Sequence, residues 1–248
     1  MTCRFLNADT LLGAAPWLRR LLLVACLGLL TACASAPHAR DPLEPFNRGV
    51  AEFNEGLDAA FLKPAAIGYE RVMPSLLRTG IHNFFANLGD IWNTANNLLQ
   101  GKVQAAAESF MRINVNTVMG LGGLIDVASA LGIESHPEDF GQTLGRWGVP
   151  SGPYVVLPFF GPSTVRDALA LPLDMRGNLL SVIDPQSTRS GLYLLRAVES
   201  RANLLRSENV VNEAALDKYG FVRDAFLQRR RNDIYDGDPP DESEEDGR

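Results

Sequence analysis

Residues Asp139 to Asp167 read DFGQTLGRWGVPSGPYVVLPFFGPSTVRD, with five glycines (Gly141, Gly145, Gly148, Gly152, Gly161) and four prolines (Pro150, Pro153, Pro158, Pro162) among aromatic and branched apolar side chains. Glycine loosens a helix and proline breaks it, so the stretch is not one regular helix. Nor is it a water-exposed linker, which would be polar: Pro153 to Phe160, PYVVLPFF, is apolar throughout apart from one phenol. Such a segment needs an apolar surround, either the protein's own core or a lipid bilayer.

Upstream, the spacing predicts helices. Phe46, Val50, Phe53, Leu57 and Phe61 recur at intervals of three and four, giving a helix from Pro45 to Phe61 with Pro64 as its stop. From Gly80 to Gln100, one stripe holds Ile81, Phe84, Phe85, Leu88, Ile91, Trp92, Ala95, Leu98 and Leu99. The opposite face carries His82, Asn83, Asn87, Asp90, Asn93, Thr94, Asn96 and Asn97. A water-facing helix usually displays Lys and Glu there. This neutral polar face is either a solvated side rich in asparagine, or a surface that meets another polar surface or a hydrated cavity. A further helix spans Lys102 to Met119. Gly120 to Ile133, GLGGLIDVASALGI, then has Asp126 as its only charge; at that length it fits a core helix or a re-entrant or interfacial segment.

Downstream, Pro162 and Ser163 suggest a helix start that Pro172 interrupts, and Asp184-Pro185 marks a turn. Helices are predicted over Ser190 to Arg206 and Asn212 to Arg230, the latter turning Leu216, Tyr219, Val222 and Phe226 inward. Arg229, Arg230 and Arg231 either complement that helix's dipole or meet lipid head groups or an acidic partner. Tyr154 to Leu157 is a possible strand. The fold class is mainly α.

The formal charge of -6 over 248 residues argues against a nucleic-acid partner. Seven acids fall in DGDPPDESEEDGR, residues 236–248, which reads as a disordered, solvating tail. At the other end, Arg19 and Arg20 precede the apolar run Leu21 to Leu30, too short to span a bilayer, and small residues lead to Cys33. Residues 1–32 read as an export signal. Cys3 and Cys26 fall inside it, so Cys33 is the single cysteine of the mature chain. Residues 33–40 form a short tether.

Recognisable catalytic or phosphate-binding motifs do not occur, so neither an enzyme nor a cofactor is expected. His136-Pro137-Glu138-Asp139 offers at most two metal ligands without spaced partners, so no metal is expected. Asp126, Asp139, Asp167 and Asp174 could serve a hydrolase as acid and base, but nothing in their spacing pairs them.

Leu30-Thr31-Ala32-Cys33 resembles the lipobox of bacterial lipoproteins, which implies acylation of Cys33 and a membrane anchor. With it, DPLEPFNR (Asp41 to Arg48), MGLGGLIDVA (Met119 to Ala128), the Asp139 to Asp167 stretch and LDKYGFVRDAFLQRR (Leu216 to Arg230) resemble the MlaA, or VacJ, lipoproteins. The resemblance implies a single ring-like, monotopic helical domain over residues 41–235, lying in the inner leaflet of the Gram-negative outer membrane beside a porin trimer. It implies removal of stray phospholipid from the outer leaflet through a hydrated channel to a soluble periplasmic carrier. The alternative is a lipoprotein that scaffolds a porin or envelope complex without moving lipid. On the same resemblance Phe53 and Asn54 border the channel, and the loop from Pro137 to Leu157 gates it. Gly141, Gly145, Gly148 and Gly152 are its gating candidates, with Gly148 and Gly152 as hinges. Asn83, Asn87, Asn93 and Asn97 are candidates for its polar lining.

Overall fold

The computed structural model describes residues 41–214 and 217–240, without the side chains of 206–214. The signal, Cys33 and the tether lie outside these residues, as do Leu216 and the end of the acidic tail. Helix α1, Glu44–Leu57, runs through a π-helical turn, Asp58–Leu62, into α2, Lys63–Val72. Pro64 therefore does not stop the helix. A proline lacks the N–H of the ladder and collides with the carbonyl four residues back. The wider π turn sits just ahead of it, closed by Lys63 N–H donating to the Asp58 carbonyl.

Helix α3, Ser75–Leu99, begins a turn earlier than its periodicity predicts and packs against α4, Val103–Val118. Gly120 to Ile133 is not a core helix: it is a series of turns with one short helix, α5, Val127–Ala130. The Asp139–Asp167 stretch divides into α6, Phe140–Arg146, and an antiparallel pair, β1 Tyr154–Leu157 and β2 Gly161–Thr164, in the register Tyr154 with Thr164. Helix α7, Val165–Gly177, starts behind a Thr164 cap and runs on through Pro172. A 3-10 turn, Leu179–Val182, leads to α8, Gln186–Ala214, and α9, Lys218–Ile234, closes the fold.

Burial divides the opening stretch: Tyr154 and Val156 are buried in the protein, while Phe159 and Phe160 stand exposed. Among the described residues seventeen polar or charged residues are buried against ten apolar ones, of which five are alanine. Outside stand Val72, Leu76, Val118, Phe159, Leu169 and Phe61, each more than 70% exposed. Phe46 and Phe53 are exposed, as are Ile91, Leu98 and Leu99, while Asn87, Asp90, Asn96 and Asn97 are buried. In water charged side chains are almost never fully buried, and large apolar patches are rare. Here the ionisable groups are turned inward and large apolar side chains outward, the reverse of the usual distribution in water. No helix among the described residues is long and apolar enough to cross a membrane.

The first residues of the acidic run expected to form a tail make contacts with the folded body. Asp236 pairs with Lys102 at 2.6 Å, and Arg231 donates to the Pro240 carbonyl.

Candidate functional site

The asparagine face of α3 meets another polar surface, and that surface is the protein's own. Asn83 donates to the Leu124 carbonyl at 3.1 Å and Asn87 to Thr117 Oγ1 at 3.1 Å. Asn93 accepts from the Glu138 amide at 3.1 Å, and Asn97 donates to the His136 carbonyl at 3.2 Å. These four side chains tie α3 to Thr117 at the end of α4 and to the irregular segment that follows it. Gly123 fits the contact: its φ is +91°, and a Cβ there would lie 2.7 Å from Asn87 Nδ2.

Arg112 of α4 is the centre of this interior. Nε donates to Asp90 at 3.2 Å, Nη1 to Ser129 Oγ and the Ile133 carbonyl at 3.0 and 2.8 Å, and Nη2 to both Asp126 oxygens at 3.1 Å. A guanidinium has five N–H donors, and all five are used. Burial pushes Asp126 up, but donors from Ser129, Asn116 and Arg112 outweigh it and bring the carboxyl down to about 2. At Asp90 burial prevails over Asn93 and Arg112, and the carboxyl is held above its ordinary range.

The opening stretch is anchored at both ends by one residue of α9. Arg230 donates to the two Asp139 oxygens at 2.6 Å each and to Asp167 at 2.9 Å. Thus two carboxylates that could have served as acid and base are a paired clamp, and the basic cluster divides. Arg229 is exposed beside Asp233, while Arg230 is packed inside. Gly141 and Gly145 lie within α6, where close packing leaves no room for a side chain. A Cβ at Gly141 would lie 2.5 Å from Arg230 Nη2 and from Asp167 Oδ1; at Gly145 it would lie 2.7 Å from Arg166 Nη1.

Gly148 and Gly152 have φ of +88° and +66°. Gly148 closes α6: its amide donates to the Gly145 carbonyl and the Val149 amide to the Leu144 carbonyl, each at 2.9 Å. That bond pair is the Schellman ending, which favours glycine. The segment between the glycines is exposed, but the Arg166 amide donates to the Ser151 carbonyl and the Val165 amide to the Pro153 carbonyl, each at 3.1 Å.

The hairpin's outer edge is covered by α1 through two asparagines. Asn47 donates to the Tyr154 carbonyl at 3.1 Å and accepts from the Val156 amide at 2.9 Å. Asn54 donates to the Leu157 carbonyl at 3.0 Å and accepts from the Phe159 amide at 2.9 Å. Seven helical residues advance about 10.5 Å, close to the roughly 10 Å of three strand residues, so one helix face reads one strand edge. Beyond that edge, Phe159 sits at φ +67° with its ring edge-on to Phe53, centroids 5.7 Å apart. For a bulky residue this is a strained backbone. Phe53 and Asn54 thus both meet the hairpin tip. Asn47, which the sequence reading did not single out, holds its base together with Asp41 and, through Asp41, Tyr219. Behind the hairpin a cavity of about 210 Å³ lies between Phe160, Phe226 and the Arg230 clamp.

These features define a mainly helical protein with a charged interior, an apolar exterior and a strand hairpin pinned to its first helix. The MlaA lipoprotein family model matches residues 39–233, and the chain belongs to that family. It is 38% identical over 210 residues to the intermembrane phospholipid transport system lipoprotein MlaA of Shigella flexneri, covering 81% of this chain and 82% of that one. The protein of the same name from Escherichia coli K12 is 37% identical over 213 residues, with the same coverage. The Haemophilus influenzae one is 34% identical over 221 residues, covering 84% and 87%. A chain solved in work on the structural basis for maintenance of bacterial outer membrane lipid asymmetry superposes with a TM-score of 0.69 at 36% identity. It covers 78% of this chain and 98% of that one.

Proposed function

We propose that this protein is an outer-membrane lipoprotein that withdraws misplaced phospholipid from the outer leaflet and passes it to a soluble periplasmic carrier. It makes and breaks no bond. Acylated Cys33 anchors it, and the folded body lies in the inner leaflet beside a porin trimer. The observation that carries this reading is the inverted burial, with Arg112, Asp90 and Arg166 inside and Phe61, Val72 and Leu169 outside, in a chain whose described helices are not suited to span. Such a body rests in lipid at one leaflet and can offer polar groups to a head group while tails stay in hydrocarbon. Membership of the family and the names of its relatives support the same substrate.

The moving part is the hairpin tip, released from Phe53 and Asn54 and swung about Gly148 and Gly152. Transfer of labelled phospholipid from outer-membrane liposomes holding the protein to a purified carrier tests this. The expected result is transfer by the wild type and none by Cys33→Ala, which lacks the anchor. A cysteine pair locking the tip to α1 should also stop it. A pure scaffold would bind porin yet leave lipid in the liposome, and that outcome sinks the reading.

A further inference from the structure

Strand β2 runs without a spacer into α7, whose first turn is capped by Thr164 accepting from the Asp167 amide at 3.3 Å. The second limb of the hairpin is therefore continuous with a helix and has no joint of its own. The first limb enters through the exposed residues 147–153, with Gly148 and Gly152 at positive φ. A swing of the tip has to be taken up in that loop, so whatever ties the loop to the start of α7 restrains the swing. Two of the ties are backbone amides, Val165 to the Pro153 carbonyl and Arg166 to the Ser151 carbonyl, which extend the ladder of the hairpin. The third is a side chain: Arg166 Nη1 donates to the Val149 carbonyl at 3.3 Å.

Arg166 is only 5% exposed, yet its guanidinium is sparingly used. Nε donates to Asp167 Oδ1 at 3.0 Å. Nη2 lies 3.0 Å from the same oxygen, out of hydrogen-bond alignment, and meets no other acceptor among the described residues. The bond to Val149 is longer than the roughly 2.7–3.2 Å of a well-made N–H···O bond. Arg112 fills all five donors and belongs to a fixed interior. A buried guanidinium that leaves donors unused gains little net stability, so its contact with the loop is one the fold can release. We propose that Arg166 is the positioning residue of the hairpin's first limb: its side chain latches the loop between Gly148 and Gly152 at rest, and must let go of the Val149 carbonyl before the tip swings. This rests on the transport reading above and names the contact that restrains the motion. Asp167 also accepts from Arg230 at 2.9 Å, so the carboxylate that seats the guanidinium stays tied to α9 while the loop is away, and the latch can close again.

The test uses the full lipidated chain in liposomes and reads deuterium exchange beside transfer of labelled phospholipid to the purified carrier. Arg166→Met removes the latch and leaves Asp167 its partner Arg230. The Val165 and Arg166-position amides should then exchange about tenfold faster, the loss of one charge-assisted hydrogen bond, while amides of α3 and α4 keep their protection. Transfer scales with the released population, so it should rise by the same factor of about ten. A gain separates a latch from a merely structural contact, whose loss would slow transfer. Arg166→Lys, with one nitrogen for two acceptors, should fall between, and Arg71→Gln, at an exposed position at the end of α2, should change nothing. Should Arg166→Met disturb the fold, Gly145→Ala keeps the arginine and moves it: the added methyl would stand 2.7 Å from Arg166 Nη1 and 3.0 Å from Ile234 Cδ1, both far ends of side chains. It too should speed exchange and transfer. In the wild type itself the Val165 and Arg166 amides should open without α3 and α4, and exchange of all of them at one common rate overturns the latch. So does slower transfer in a folded Arg166→Met or Gly145→Ala protein, or a gain that survives a cysteine pair locking the tip to α1. Wild-type transfer that both variants leave unchanged removes the latch and keeps the transport reading, whereas a wild type that transfers nothing removes both.

Discussion

Two regions of the molecule are built on opposite terms. The interior between α3, α4 and the 120–138 segment is held by saturated charges: Arg112 spends every donor, and Lys102, Glu138 and Gln100 close a second cluster at 2.7 and 2.8 Å. The hairpin tip has no charged contact among the described residues. Two hydrogen bonds from Asn54 and one ring contact from Phe53 hold it, and Phe159 and Phe160 stand exposed. Where the surround is apolar, burying side chains gains little, so rigidity follows the polar contacts. The region rich in them is the frame, and the region that has few is the part that the proposed transfer would move.

The sharpest way to break that contrast is to remove the frame's central charge. Arg112→Leu leaves Asp90 and Asp126 facing each other without their counter-charge in a buried setting. We expect a loss of about 3–5 kcal/mol, the cost of breaking a buried pair from one side, read as a large fall in thermal midpoint in detergent. A midpoint within a degree or two of wild type would mean that the frame lies elsewhere.

Next in size is Gly141→Ala, whose methyl must displace Arg230 or Asp167 from the clamp. Overpacking of this kind costs about 1–3 kcal/mol. Gly148→Ala meets no neighbour and carries only the left-handed backbone penalty of about 1–2 kcal/mol. Thermal unfolding of the pair should therefore rank Gly141→Ala as the more damaging. The reverse order would make Gly148 more than a helix stop.

At the tip, Asn54→Ala should cost about 1 kcal/mol for each lost bond and act locally. Deuterium exchange at the Phe159 amide should speed up by about tenfold while amides of α3 and α4 keep their protection. Uniform loss of protection would show that tip and frame unfold together and erase the distinction between them.

Much of this was legible in the sequence. The helices at Glu44, Ser75, Val103 and Lys218 follow their apolar periods, and β1 stands where Tyr154 to Leu157 placed it. The direction of those periods was not legible, because a helical stripe reports only that two faces differ. Asparagine in place of Lys and Glu on α3 was the signal that its polar face was the buried one. Pro64 and Pro172 misled because a π turn and an uninterrupted helix each absorbed a residue that usually stops one. Strand β2 is Gly-Pro-Ser-Thr, a poor strand former that pairs only because β1 is beside it. Asn47 and Asn54 lie seven apart, a spacing with meaning only once a strand edge is known to face the helix.

The smallest expected effect tests the frame by pH. Asp126 titrates near 2 when folded and close to 3.8 as a free carboxyl. A depressed carboxyl adds stability above its unfolded value and loses it as pH falls through the folded one, so the contribution should fade between about pH 4 and pH 2. Asp90 is shifted the other way, because burial outweighs its donors, and the same acid relieves it. The two carboxylates share Arg112, so the net acid limb should be shallow in the wild type. It should flatten further or invert in Asp126→Asn, and steepen in Asp90→Asn, which removes the opposing group. Identical acid limbs in all three proteins would show that Arg112 does not join the two carboxylates into one frame.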